Sequence, residues 1–366
     1  MRITGIELRR VAMPLVTPFR TSFGTETERD VLLVRVVTPD GEGWGECVAM
    51  SDPLYSPEYV DAAADVMRRF LIPALPADVD AHGVGRALDP FKGHRMAKAA
   101  LETAVLDAQL RASGQSLASY LGAAAGRVPA GVSVGIMDSV PELLEAVAGY
   151  LHEGYLRVKL KIAPGWDLVP TRAVREHFGP DLLLQVDANA AYTLTDAPHL
   201  AKLDPLDLLL IEQPLAHDDL LQHAHLARRI TTPVCLDESI ESARHAAAAI
   251  ALGACSVINV KPGRVGGYLE AARIHDLARA HGLAVWCGGM LETGIGRAAN
   301  LALAALPGFT LPGDTSASRR YYTTDLTPPF ELRDGHLNVP TAPGIGVDPV
   351  PAVLDEVTTS TEWIPR

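Results

Sequence analysis

Short apolar runs recur through the middle of the chain, and each ends in polar or glycine-rich residues. In order they are VSVGI (132–136), LRVKLKI (156–162), LLLQVDAN (182–189), LLLIEQP (208–214), PVCLDES (233–239), SVINVKP (256–262), LAVWCGG (283–289) and FTLPGDT (309–315). They give eight candidate strands. From the second to the seventh they are separated by helix-like segments such as GYLEAARIHDLARAHG (267–282), and that alternation predicts a parallel sheet. The spacing is regular. Lys161 to Asp187 is 26 residues, Asp187 to Glu212 is 25, Glu212 to Asp237 is 25, Asp237 to Lys261 is 24 and Lys261 to Cys287 is 26. A fixed period of this size suits a repeating βα unit and favours an α/β barrel. The alternative, an open doubly wound sheet, lacks a GxGxxG after its first strand.

Residues 1–125 do not share this rhythm. ITGIELRRVAMPL and DVLLVRVVTPDGEGWGEC read as antiparallel strands, and RMAKAALETAVLDAQLRA (95–112) as a helix. They form an α+β domain before the barrel. The tail, with FELRDGHLNVPTAPGIGV, is expected to return to it from about residue 328, leaving 126–327 for the barrel.

Composition narrows the function classes. The 366 residues are 48% hydrophobic and carry a net charge of −12. Such acidity argues against non-specific binding to nucleic acid or anionic membranes. Cys47, Cys235, Cys255 and Cys287 are scattered without a CxxC pair, which reads as reduced thiols rather than a disulfide framework. No apolar run reaches membrane-spanning length, and the first residues alternate like a strand without an apolar signal region. The expectation is a cytoplasmic protein.

The strand YLRVKLKI alternates Arg157, Lys159 and Lys161 with apolar residues, so one face carries three cations. A solvated edge strand would explain this. The repeat suggests another reading, because successive strands end in Lys161, Asp187, Glu212, Asp237 and Lys261. Barrel active sites lie at these strand ends. Three carboxylates converging in a partly dry site repel, and a divalent cation removes the conflict. Oxygen donors without His or Cys point to Mg²⁺, with Mn²⁺ as an alternative. The competing reading is that each carboxylate caps the helix after its strand. Lys161 and Lys261 end the second and sixth strands, four apart in a ring of eight. They would flank a substrate, suited to removing a proton from one face of a carbon and returning it on the other. A divalent cation and other lysines close by would loosen a lysine's proton toward the range useful for a base. Lys159, one pleat deeper, would offset enolate charge.

These motifs, KLK (159–161), DAN (187–189), EQP (212–214), DES (237–239) and KPGRVGG (261–267), resemble the enolase superfamily and its muconate-lactonizing subgroup. WCGGMLETGIGRAAN (286–300), LPGDTSAS (311–318), PFRTSFGT (18–25) and FKGHRMAKAALE (91–102) resemble the N-succinylamino acid racemase / o-succinylbenzoate synthase family. The resemblance covers essentially the whole chain. It implies a modified TIM barrel, (β/α)7β, with an N-terminal capping domain, a small-molecule carboxylate substrate and a homo-oligomeric state. Asp187, Glu212 and Asp237 would be Mg²⁺ ligands, Lys161 and Lys261 the acid/base pair, and Asn189 and Glu238 their supports. Phe19, Phe23, Met50 and Tyr55 of the capping loops, Ser133, and Gly289, Met290 and Leu291 would contact substrate. Asp314 would be a further substrate contact.

Several reactions fit this family. Mandelate racemase chemistry would need a His at the seventh strand end, where Trp286-Cys287-Gly288-Gly289 stands. A dipeptide epimerase would present Asp-x-Asp near the eighth strand, where Asp314 is alone. A muconate cycloisomerase lacks the GGMLETGIG stretch. Racemisation of N-succinyl amino acids and dehydration to o-succinylbenzoate remain. The glycines Gly288 and Gly289 would let backbone N–H groups approach a second carboxylate such as a succinyl tail. A catalytically dead barrel is disfavoured because all five strand-end charges are intact.

Overall fold

The computed structural model describes residues 1–366. Two sheets organise it. β1 (Gly5–Arg20), β2 (Thr25–Thr38) and β3 (Gly41–Cys47) form an antiparallel meander, and β13 (Thr358–Pro365) pairs along the free edge of β1. The C-terminal strand is thus part of the cap sheet. Both faces of β2 are buried, which is why LLVRVV reads almost continuously apolar. Val31 and Leu33 join the core shared with the barrel, whereas Leu32, Val34 and Val36 pack in the cap's own core. The cap helix Arg95–Ser113 covers that second face and ends at Gly114 in a left-handed conformation.

A short pair, β4 (Arg127–Pro129) with β12 (His336–Asn338), leads into the barrel. The barrel strands are β5 (Gly131–Val134), β6 (Arg157–Lys161), β7 (Leu183–Asp187), β8 (Ile211–Glu212), β9 (Val234–Leu236), β10 (Val257–Val260) and β11 (Ala284–Cys287), all parallel and in sequential order. The expected eighth strand, FTLPGDT, is not a regular strand. It makes isolated bridges from Phe309 to Val285 and from Gly313 to Ala130. Gly131 N–H donates to Gly313 O at 2.7 Å, and Asp314 N–H to Cys287 O at 2.9 Å, so this segment still joins the last strand to the first. Pro312 has no N–H for the ladder, which accounts for the broken strand. β6 is central, between β5 and β7, and all its residues are buried, so the edge-strand reading of its cationic face fails.

Cap and barrel are joined by buried carboxylates. Glu102, on the cap helix, accepts from Leu269 N–H at 3.1 Å at the start of the barrel helix Tyr268–Ala280, whose first boundary residue, Gly267, has no side chain to cap it. Gly267 has φ +141, and a Cβ there would overlap the Glu102 carboxylate. Glu46, on β3, accepts from Thr293 N–H at 3.0 Å and Gly296 N–H at 2.9 Å at the start of helix Gly294–Ala304. All four cysteines are buried free thiols. No helix is long and apolar enough to cross a membrane.

Candidate active site

The parallel register sets the strand-end charges side by side. Lys161 lies opposite Asp187 on β7, and Asp187 opposite Glu212 on β8. Asp237 follows β9 directly, and Lys261 follows β10. All five are buried. Lys161 Nζ donates to Asp187 Oδ2 at 2.6 Å and to Asn189 Oδ1 at 2.7 Å. Asn189 takes a left-handed φ of 42, which asparagine tolerates, and its Nδ2 donates to Glu238 Oε1 at 2.9 Å. Lys261 Nζ donates to Asp237 Oδ2 at 2.7 Å and to the Tyr55 hydroxyl at 3.1 Å.

The other two cations of β6 lie deeper. Lys159 Nζ is 3.0 Å from Glu212 Oε2, 3.3 Å from Asp187 Oδ2 and 2.6 Å from Asp314 Oδ2. Arg157 bridges Asp314 at 2.8 Å, donates to Pro312 O and stacks 5.1 Å from the Trp286 ring. Asp314 therefore reaches the site, but its carboxylate is held by Lys159 and Arg157.

The three expected ligand carboxylates are not gathered into a ready-made cation cluster. Each leans on a neighbouring cation instead. Asp187 pairs with Lys161, Glu212 with Lys159, and Asp237 with Lys261 and the buried Arg264 guanidinium. The cause is the mutual repulsion that made a cation necessary, since a buried carboxylate draws the nearest ammonium. The set still has the features of a hard-cation site. The donors are all carboxylate oxygens on consecutive strands, and Asp187 and Glu212 both reach one positive group, the Lys159 ammonium. Glu238 Oε2 is buried without a partner. Asn259 Nδ2 holds Glu212 Oε1 at 2.7 Å, and a Cβ at residue 288 would strike Asn259. Gly288 thus makes room for a carboxylate support, and its N–H donates to Val260 O at 3.1 Å rather than standing free for a ligand carboxylate.

The buried charges act strongly on one another. Burial pulls Lys261 down, but Tyr55, Glu212 and Glu238 outweigh it and hold its proton above the ordinary lysine range. Lys159 is likewise opposed by burial and raised by Asp314, Glu212 and Asp187. Among the protein's own groups, ion pairing outweighs burial at these two lysines. Burial raises Asp187, yet Lys161 and Lys159 bring it below the usual carboxylate range. Burial and then Asp187 push Glu238 up to about 7.

One cavity between cap and barrel collects these groups. Lys159, Lys161, Asn189 and Lys261 form its floor. Phe19, Phe23, Met50 and Tyr55 reach it from the cap. Ser133, Gly289, Met290, Leu291 and Asp314 reach it from the barrel. Glu238 supports Asn189 without lining the cavity. Thr21, within the Phe19–Phe23 loop, also lines the wall; sequence reasoning missed Glu26, Arg29 and Tyr321 there, and Arg264 beneath Asp237. Arg264 had a signal, since it lies one helical turn after Lys261. Tyr321, beyond the eighth segment, had none.

Comparison with known proteins agrees with this architecture. Residues 3–122 match the mandelate racemase / muconate lactonizing enzyme N-terminal domain, and residues 142–353 the enolase C-terminal domain-like family. The chain is 67% identical over 366 residues to an N-succinylamino acid racemase of Amycolatopsis sp, covering 100% of both chains. It is 48% identical over 352 residues to an o-succinylbenzoate synthase of Geobacillus stearothermophilus, covering 95% of this chain and 94% of the other. Among solved structures, an enolase superfamily member from Listeria innocua superposes with a TM-score of 0.95 at 40% identity, over 100% of this chain and 99% of that one. The muconate lactonizing enzyme of Pseudomonas fluorescens, with muconolactone, gives a TM-score of 0.92 at 27% identity, over 98% and 99%. With a cap and a barrel that both match, this chain belongs to the mandelate racemase / muconate lactonizing enzyme family of the enolase superfamily.

Proposed function

We propose that the protein racemises N-acyl amino acids, N-succinyl amino acids above all, by two-base proton transfer at the α-carbon. The observation that carries this reading is the placement of Lys161 and Lys261. They end strands four apart in the ring, line one cavity, and are each anchored to a different carboxylate. One lysine removes the α-proton and the other returns a proton on the opposite face, inverting the centre. Asp187 and Asp237 stand directly beside the two lysines, at the ends of the neighbouring strands. Lys159, pinned among Glu212, Asp187 and Asp314, keeps a positive charge near the enolate. Phe19, Phe23, Met50 and Tyr55 cover the cavity and exclude water.

Asp187, Glu212 and Asp237 are the residues that would hold Mg²⁺, or Mn²⁺ in its place. When bound, the cation supplies Lewis-acid charge against the substrate carboxylate. In this reading residues 126–327 carry the chemistry, residues 1–125 with 328–366 form the cap, and the protein works in the cytoplasm as a homo-oligomer.

A second reading, dehydration to o-succinylbenzoate, needs one lysine as base and acid, with the other serving by its charge. The Geobacillus relative's name favours it, and one site can support both reactions. Incubation of N-succinyl-L-phenylalanine with Mg²⁺, followed by polarimetry, tests the first. Decay of rotation to zero is expected. Unchanged rotation with formation of the aromatic product from the dehydration substrate would replace it with the second.

A further inference from the structure

Of the four cations that line the cavity, three are matched by carboxylates and one is not. Arg29 is only 1% exposed. It shares the face of β2 that carries Val31 and Leu33 toward the barrel, and it reaches the cavity wall. Its Nη2 donates to Val48 O at 3.1 Å and Ala49 O at 3.3 Å. Its Nε and Nη1 are buried and have no partner at all. A buried charge left unpaired is costly, and native structures keep one where something else completes it. A guanidinium with free N–H groups matches the two oxygens of a carboxylate.

We propose that Arg29 is a specificity-determining residue that receives the terminal carboxylate of the substrate's acyl group. The reacting carboxylate belongs at the barrel strand ends, beside Lys161 and Lys261. Arg29 stands on the cap sheet, so it serves the other end of a dianionic substrate. The substrate class is then N-acyl amino acids whose acyl chain itself ends in a carboxylate. The half-buried Glu26 on the same wall feels the Arg29 charge but makes no hydrogen bond to it, so the Nε and Nη1 groups stay free for a ligand. This inference rests on the racemase reading.

The test measures kcat/KM for racemisation of N-succinyl-L-phenylalanine and N-acetyl-L-phenylalanine, on the wild type, Arg29→Met and Arg29→Lys. The wild type should prefer the succinyl substrate. Arg29→Met should lower the succinyl-to-acetyl ratio by about 30-fold, mainly through the KM of the succinyl substrate. Arg29→Lys, which keeps a cation, should restore part of the ratio. Equal loss on both substrates, or an unchanged ratio in Arg29→Met, would overturn the inference while leaving the racemase reading intact. If Arg29→Met does not fold, an unchanged ratio in Arg29→Lys together with no preference for the succinyl substrate in the wild type overturns it. A wild type that racemises neither substrate overturns the racemase reading and this inference with it.

Discussion

The ammonium of Lys261 lies 3.1 Å from the hydroxyl of Tyr55, so a residue of the cap touches a proposed base of the barrel. The same hydroxyl is 3.3 Å from each oxygen of Asp237, and the Tyr55 ring centre is 4.6 Å from Lys261 Nζ. Seating the cap and positioning the lysine are therefore one event. Tyr55→Phe keeps the ring and removes the hydroxyl. It should lower kcat/KM for racemisation by roughly 10-fold, the size expected for a hydrogen bond to a charged group. Thermal unfolding should move little by comparison, and steady-state polarimetry beside a melting curve separates the two effects.

Removal of divalent cations should abolish activity. Asp187, Glu212 and Asp237 lie beside Lys161, Lys159 and Lys261. These three carboxylates are the groups that would hold Mg²⁺, whose charge would offset theirs in a buried site. Thorough dialysis against EDTA should stop racemisation, and added Mg²⁺ should restore it and raise Tm with concentration. Asp237→Asn should weaken the Mg²⁺ requirement curve by at least about 10-fold in midpoint. Activity that survives dialysis would show that the carboxylates act without a metal.

Glu102 and Gly267 make a stability prediction far from the chemistry. Glu102→Ala removes the cap of helix Tyr268–Ala280 and should cost about 1–2 kcal/mol in denaturant unfolding. Gly267→Ala forces a Cβ into the Glu102 carboxylate and should cost at least about as much. Because the two act on one contact, their effects should not add in the double variant.

The same carboxylates set a pH dependence. Burial pushes Glu46 up to about 7 despite its bonds from Thr293, and Glu102 up to about 7 despite its bonds from Leu269 and Tyr268. The folded protein therefore holds these protons more tightly than the unfolded chain does. Their contribution is fully present below about pH 4.5 and is lost as pH rises through 7. For each group the change is on the order of 1–3 kcal/mol. Unfolding free energies across pH 5–8 should show this fall, with a shallower slope in Glu46→Gln.

The sequence displayed the fold where a physical period imposed it. Each βα unit must return a strand end to the same rim, so Asp187, Glu212 and Asp237 fell at near-equal intervals and could be placed without coordinates. The antiparallel cap was readable from the apolar, β-branched run DVLLVRVV and the turn after it. FTLPGDT was less legible, because its apolar pattern suits a strand while Pro312 denies the ladder a donor. The cation-bound state of the carboxylates could not be seen either. It depends on which ammonium group the folded barrel brings nearest, a three-dimensional property. Arg29 was hidden in the polar run TETERD (25–30), where an arginine usually faces water. Only its burial beside the cavity distinguishes it. A glycine pair reads as an open backbone, but at Gly288 the N–H is used by Val260 O and the space beside it is filled by Asn259.

The central claim is that Lys161 and Lys261 each serve one face of the α-carbon. The most direct measurement is proton NMR of N-succinyl-L-phenylalanine and its D enantiomer in D₂O with Mg²⁺, using wild type, Lys161→Ala and Lys261→Ala. The wild type should exchange the α-proton of both enantiomers and racemise each. Each alanine variant should lose racemisation and exchange at most one enantiomer, with the two variants differing in which one. A Lys261→Ala protein that still racemises at near the wild-type rate would contradict the account.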